Sequence, residues 1–147
     1  MSKDIPVIVY PSEAYIKPQA RGAVLIIGSD LNPVGSVLCP LVTAISAGNS
    51  VIVVPSSKCA NSISTLKKFF ELYLDERFYK VVEGDMSVVR TLSSLPFDMI
   101  CCTGSRETAI QVSRTAADNL VPVHLEIESS SPIIIDSSAD IKQAAMK

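Results

Sequence analysis

A short apolar run between two glycines constrains the fold of this chain more than any other feature. Ala23 to Ile27 are five consecutive apolar residues, with Gly22 before them and Gly28 after them. A run this short and rich in branched side chains predicts a β-strand buried on both faces. Turn residues follow at 28–30, and Pro33 is typical of the start of a helix. The stretch predicts the first strand-loop-helix unit of an open α/β sheet.

Strand and helix patterns alternate along the rest of the chain. Further strands are predicted at 51–54, 79–83, 97–102, 121–127 and 132–136, with helices between them and a last helix starting in 139–147. In the first helix an interior Pro40 would cost roughly 3 kcal/mol, so the regular part is predicted to start near Pro40. Repeated alternation with short connections predicts an α/β fold: a Rossmann-like open, mostly parallel sheet with helices on both faces.

The chain is expected to be one domain preceded by a short peripheral segment. Residues 1–20 contain two β-prone pieces, 5–10 and 15–18, which predict a peripheral strand pair because Pro6, Pro11 and Pro18 would break a central strand. Residues 21–147 are predicted to form the Rossmann-like domain. No linker-like segment or internal repeat divides them.

Composition excludes several classes of function. The 147 residues are 48% hydrophobic and 19% charged, with a net charge of −2 and no basic run, so a nucleic-acid partner is not expected. No apolar segment approaches the ~20 residues of a membrane helix, and no signal peptide is visible. We expect a cytoplasmic protein without a membrane segment.

The cysteines indicate no metal site. Cys39, Cys59, Cys101 and Cys102 have no C-x-x-C spacing, and the single histidine, His124, lies in another segment. Zinc sites need such clusters. Cysteines in apolar stretches usually act as small hydrophobic side chains, which is how we interpret these.

Three loops are expected to meet at the carboxyl edge of the sheet, where α/β sheets bind ligands. They are 28–32, 55–57 and 103–105. Thr103-Gly104-Ser105 joins a strand to a helix start, which either suits a phosphate group or is an ordinary turn. Neither G-x-G-x-x-G nor G-x-x-x-x-G-K-[ST] is present. Glu126, near the end of a strand, is either a general base or an exposed strand-end charge, and His124 is interpreted as structural.

Four ordered sequence blocks, taken together, resemble the aldehyde dehydrogenase superfamily, and its class 3, fatty-aldehyde type most. They run from about Tyr15 to the last residue. The blocks are Arg21-Gly-Ala-Val-Leu-Ile-Ile-Gly with Asn32-Pro33, Ala47-Gly-Asn-Ser-Val-Ile-Val-Val-Pro-Ser56, Phe97-Asp-Met-Ile-Cys-Cys-Thr-Gly-Ser105, and Leu120-Val-Pro-Val-His-Leu-Glu126 with Ser131-Pro132.

The resemblance implies a cofactor-binding domain and a set of site residues. Glu126 matches the family's catalytic glutamate, and the implied cofactor is NAD or NADP, bound weakly or not at all. No metal is implied. The implied cofactor-binding residues are Gly28, Ser29, Pro55, Ser56, Ser57, Gly104, Ser105, Arg106 and Ala109, the last in place of a family glycine.

Departures from the family pattern fall at the implied site. Leu31 stands where an asparagine side chain helps form the oxyanion hole, with Asn32 one position later. Val54 and Ser57 replace the lysine and glutamate that hold the adenosine ribose. Glu128 and the following serine replace two glycines.

The family's catalytic cysteine would lie beyond Lys147. The resemblance therefore implies an aldehyde dehydrogenase-like protein, related to NAD(P)-dependent oxidation of aldehydes to carboxylic acids. It implies a truncated cofactor-binding half without a catalytic domain, inactive as an isolated chain. The alternative is a non-catalytic pseudo-enzyme that binds nucleotide weakly or acts as a protein-interaction module. A homo-oligomer or a complementary catalytic half is the expected protein partner.

Overall fold

The computed structural model describes residues 16–127, 132 and 134–145. Its strands form one sheet in the order β3-β2-β1-β4-β5, and every neighbouring pair is parallel. This confirms the predicted α/β fold. The elements are β1 (Ala23–Ile27), α1 (Gly35–Ser46), β2 (Ser50–Val54), α2 (Ala60–Tyr73), β3 (Tyr79–Val81), α3 (Met86–Ser93), β4 (Met99–Gly104), α4 (Arg106–Ala117), β5 (Val123–Ile127) and α5 (Ile141–Ala144).

Strand β1 lies at the centre of the sheet, between β2 and β4. Leu25 and Ile26 are both fully buried, and they belong to two different apolar clusters. Helices α1 and α2 contribute to the cluster of Ile26, whereas α3 and α4 contribute to the cluster of Leu25. The apolar run is therefore a strand with helices packed on both of its faces, as its composition predicted.

The buried residue Asn49 ties the start of β1 to the end of α1. Its Oδ1 accepts hydrogen bonds from the backbone N–H groups of Arg21 (2.7 Å) and Gly22 (3.0 Å). Its Nδ2 donates to the carbonyl oxygen of Ala44 (3.1 Å). Gly22 has a φ of +131°, which a residue with a Cβ rarely adopts, so glycine is needed here. These contacts fix where the chain enters the sheet.

Helix α1 begins at Gly35, so the prediction that its regular part starts near Pro40 is wrong. Pro40 lies inside the helix, where it cannot donate to the carbonyl four residues earlier. Val37 and Leu41, on either side of it, are both buried in the cluster on this face. Since burying such a side chain contributes about 1.5–3 kcal/mol, packing of the apolar face offsets the lost hydrogen bond.

The predicted sixth strand is wrong in its described residues, because 134–136 belong to no strand. Ile134 is 91% exposed, and no described strand pairs with this stretch. An apolar run forms a strand only where a neighbouring strand satisfies its backbone groups. Among the described residues of the predicted last helix, 139–145, the helical part is the short α5, capped by Asp140.

The predicted peripheral strand pair falls mostly outside the described residues. Residues 1–15 are not described, and residues 16–20 belong to no strand. The division of the chain at residue 20 stays a prediction. Within the described ranges, none of the helices combines the length and apolar character that crossing a bilayer requires.

Candidate functional site

The loops after the strands meet in one cleft at the carboxyl edge of the sheet, as predicted. Its volume is about 300 Å³, and the loops that follow β1, β2 and β4 all line it. A fourth segment, Gly84 to Met86, leads from β3 into the first residue of α3 and completes the wall. This segment is not among the three loops that the sequence predicted at this edge. The rule that placed the other three loops could have found it, because it too follows a parallel strand.

The structure brings together most of the residues that the resemblance implied for the cofactor. Seven of the nine implied residues line the cleft: Gly28, Ser29, Pro55, Ser56, Ser57, Gly104 and Ser105. Two others do not line it. Ala109 is 3% exposed on the buried face of α4, and Arg106 is exposed in the first turn of that helix. The cofactor-binding role of each residue stays a prediction, and Glu128 lies outside the described residues.

The loop after β1 is held by hydrogen bonds within itself and to α1. The backbone N–H of the buried Ser29 donates to Ser36 Oγ (3.0 Å), and Ser29 Oγ accepts from the N–H of Leu31 (3.2 Å). Asn32 Oδ1 accepts from the N–H of Gly35 (3.0 Å), at the start of α1. The Leu31 side chain is 76% exposed. The amide of Asn32 is therefore used at the helix start, and the preceding position presents only hydrocarbon.

An ion pair links the loops after β1 and β2. Lys58 Nζ lies 2.8 Å from Asp30 Oδ2, and both side chains are at least one-third exposed. The hydrogen bond from Lys58 lowers the pKa of the Asp30 carboxyl. Asp85, in the fourth segment, accepts hydrogen bonds from the N–H and the hydroxyl of Ser87, which likewise lower its pKa. The two carboxylates of the cleft are thus both ionised and both bonded at neutral pH.

Glu126 lies outside this cleft, on β5. Its Oε2 accepts a hydrogen bond from the hydroxyl of Thr103, the residue opposite it in β4 (3.2 Å). His124 Nε2 lies 4.0 Å from Glu126 Oε1. The two β5 side chains line a second groove of about 520 Å³, together with Cys101 of β4 and residues of α1. Thr103 connects the two sites, since it also lines the cleft.

The two cysteines of β4 are poor nucleophiles. Burial, and then the charge of Glu126, raises the pKa of the Cys101 thiol. Burial raises the pKa of the Cys102 thiol to about 11. Because the thiolate is the reactive form, neither residue is activated at neutral pH. No group of three or more His, Cys, Asp or Glu side chains in the described part of the chain is arranged to hold a metal ion.

The loop after β1 needs glycine at position 28 for packing. A Cβ on Gly28 would lie 2.7 Å from Val37 Cγ2 and 3.2 Å from Ser36 Oγ. We expect Gly28→Ala to reduce the free energy of unfolding by about 1–3 kcal/mol, as overpacking does. Gly104→Ala is the matched control, because its Cβ would meet nothing closer than Thr108 at 3.7 Å. Equal urea midpoints for the two variants would contradict this prediction.

The parallel sheet and its edge cleft define a Rossmann-like α/β domain. The family model for the aldehyde dehydrogenase family matches residues 2–147. This chain belongs to the aldehyde dehydrogenase family, as the sequence blocks predicted.

Two curated relatives and one solved structure describe the similarity. The chain is 39% identical over 142 residues to the 4,4'-diaponeurosporen-aldehyde dehydrogenase of Staphylococcus aureus, covering 97% of this chain and 31% of that protein. It is 39% identical over 135 residues to aldehyde dehydrogenase family 3 member A2 of Pongo abelii, covering 92% and 28%. The substrate-bound structure of Staphylococcus aureus AldH superposes with a TM-score of 0.88 at 38% identity, covering 98% and 31%. The chain thus spans under a third of the length of these relatives.

Proposed function

We propose that this chain is the cofactor-binding part of an aldehyde dehydrogenase, which holds NAD or NADP in the cleft at the carboxyl edge of the sheet. The observation that carries the proposal is the assembly of four strand-end loops around one cleft. The family relationship supports aldehyde oxidation as the reaction that such a part serves. A cytoplasmic location, and a second copy or a complementary catalytic half as partner, belong to the same proposal.

The residues of the cleft fit a phosphate-bearing ligand. Gly104, the last residue of β4, lines the cleft, and a Cβ added there would contact only the Thr108 side chain, at an ordinary van der Waals distance of 3.7 Å. Ser105 caps α4, and the first N–H groups of a helix attract phosphate. Ser57 and Lys58 would lie near a ribose. The bound nicotinamide would supply a hydride acceptor.

Glu126 is the proposed general base. Its side chain is 65% exposed, which leaves the carboxylate open to water. The Thr103 hydroxyl holds Oε2, so the carboxylate is oriented from the β4 side. A carboxylate held in this way can accept a proton from an attacking water molecule.

The second candidate function is a non-catalytic pseudo-enzyme that binds nucleotide weakly or acts as an interaction module. It is favoured by the exposed Leu31 at the position of the oxyanion donor and by the raised thiol pKa values of Cys101 and Cys102. Neither candidate is expected to oxidise aldehydes as the isolated chain, so turnover measured together with a complementary catalytic half separates them. Cofactor binding is common to the first candidate and to the weak-binder form of the second.

Calorimetric titration with NAD and NADP tests the proposal. Ser105→Asp keeps an equally good helix cap but places a negative charge where the phosphate would lie. We expect it to weaken binding of whichever dinucleotide binds by about tenfold or more, which corresponds to ~1.4 kcal/mol. Ser64→Asp is the control, because Ser64 is exposed on α2 and does not line the cleft. If the parent chain binds neither dinucleotide, the proposal is wrong.

A further inference from the structure

The turn after β2 carries a lysine and no carboxylate. Ser56 to Cys59 form a tight turn, closed by a hydrogen bond from the N–H of Cys59 to the carbonyl of Ser56 (3.1 Å). Ser57 and Lys58 are its two central residues, and both line the cleft. In dinucleotide-binding sheets a carboxylate near this point binds the ribose hydroxyls of NAD, whereas a basic residue accommodates the extra phosphate of NADP.

Lys58 is the only cation among the described residues that line the cleft. Its ammonium group lies 2.8 Å from Asp30 on the facing loop, and its side chain is 75% exposed. A solvent-exposed ion pair of this kind contributes little to stability, so a ligand can replace one of its members at low cost. A phosphate monoester, with up to two negative charges, is a stronger partner for lysine than one carboxylate.

We propose that Lys58 selects a dinucleotide that carries a phosphate on its adenosine ribose, and that this phosphate displaces the Asp30 carboxylate from Lys58. The neighbouring Ser57 is neutral, so its hydroxyl can donate a hydrogen bond to this phosphate without adding a repelling charge. The inference rests on the proposed cofactor role of the cleft and adds a ligand preference to it: NADP over NAD.

The acidic residues of the cleft, Asp30 and Asp85, are the alternative candidates for binding the ribose hydroxyls. Asp85 has its carboxylate bonded to Ser87 at the start of α3. Asp30 is bonded to Lys58. If Asp30 bound the ribose hydroxyls instead, its removal would weaken NAD binding. If it only competes for Lys58, its removal strengthens NADP binding and leaves NAD binding unchanged.

The test compares adenosine 2′,5′-bisphosphate with 5′-AMP, and NADP with NAD, by calorimetric titration of the whole chain. We expect the ligand with the extra phosphate to bind about tenfold to a hundredfold more tightly, the ratio that a charge-assisted hydrogen bond supplies. Lys58→Ala and Lys58→Gln should remove that ratio, because they weaken binding of NADP and adenosine 2′,5′-bisphosphate more than binding of NAD and 5′-AMP. Lys67→Ala is the matched control, since Lys67 forms an exposed ion pair with Glu83 outside the cleft.

Two further variants sharpen the result. Asp30→Asn should raise the affinity for NADP alone, and Ser57→Glu should reverse the preference in favour of NAD. Equal affinities for NADP and NAD, or a preference that survives both Lys58 substitutions, would overturn this inference and leave the proposed function standing. Absence of binding by all four ligands would overturn the proposed function together with the inference. Circular dichroism of each variant verifies that the fold is kept.

Discussion

The 147-residue chain by itself is expected to reduce no NAD or NADP when aldehydes are added. Aldehyde oxidation in this family needs a cysteine thiolate, and the thiol pKa values of Cys101 and Cys102 are both raised by burial. The oxyanion position is also altered, because Leu31 has no group that donates a hydrogen bond. Loss of one such donor alone reduces turnover by about 10²–10³. The assay follows the absorbance of the reduced cofactor over a range of aldehydes.

The control for this assay is the full-length Staphylococcus aureus relative, measured beside the chain under identical conditions. Turnover by pure chain that disappears in both Glu126→Gln and Cys101→Ala would mean that the β4 cysteine is active despite its burial. That outcome would overturn the prediction. Activity that survives both substitutions would indicate a contaminating enzyme, and it would disappear on further purification.

Leu25→Ala is expected to reduce the free energy of unfolding by about 2–5 kcal/mol, as truncation of a fully buried leucine does. Leu25 is 0% exposed, and its neighbours in the sheet are Ile52 of β2 and Ile100 of β4. The central strand cannot move into the cavity that the truncated side chain leaves, because helices pack on both faces of the sheet. Since domains of this size have roughly 5–15 kcal/mol of stability in total, the variant is expected to unfold at a much lower urea concentration.

Leu72→Ala is the matched control for the buried leucine. Leu72 is 73% exposed on α2, so its replacement is expected to change stability by no more than about 0.5 kcal/mol. The measurement is equilibrium unfolding in urea, followed by circular dichroism. Similar midpoints for the two variants would mean that β1 is not the centre of the core.

The order of strands and helices could be predicted because the buried apolar residues of each element follow a simple spacing along the sequence. The run at 23–27 and the apolar spacing of α4 both determine their elements locally. Pro40 and Ile134 could not be interpreted in the same way. Whether a helix continues through Pro40 depends on how the whole α1 face packs against the sheet. Whether the stretch around Ile134 forms a strand depends on whether a partner strand exists. Neither condition is visible in the local sequence.

The candidate site was predictable by its loops but not by its contacts. Parallel strands bring their carboxyl ends together, so Gly28, Ser57 and Gly104 could be expected in one cleft. That Lys58 reaches Asp30 depends on the shape of the turn after β2, which composition does not give. Val54 stands where the resemblance implies a ribose-binding lysine. It is 1% exposed and packs with the α3 side of the core, so this position also serves stability.

Thr103 has a consequence that concerns equilibria rather than geometry. It borders the cleft, and its hydroxyl donates to the carboxylate of Glu126 in the neighbouring groove. A cleft occupant that takes over this hydroxyl as a donor would release Glu126, and a groove occupant that fixes Glu126 would withhold the hydroxyl from the cleft. Linkage makes the two effects equal in free energy, whatever their size. Such occupants would therefore have coupled binding equilibria, joined by a single threonine hydroxyl.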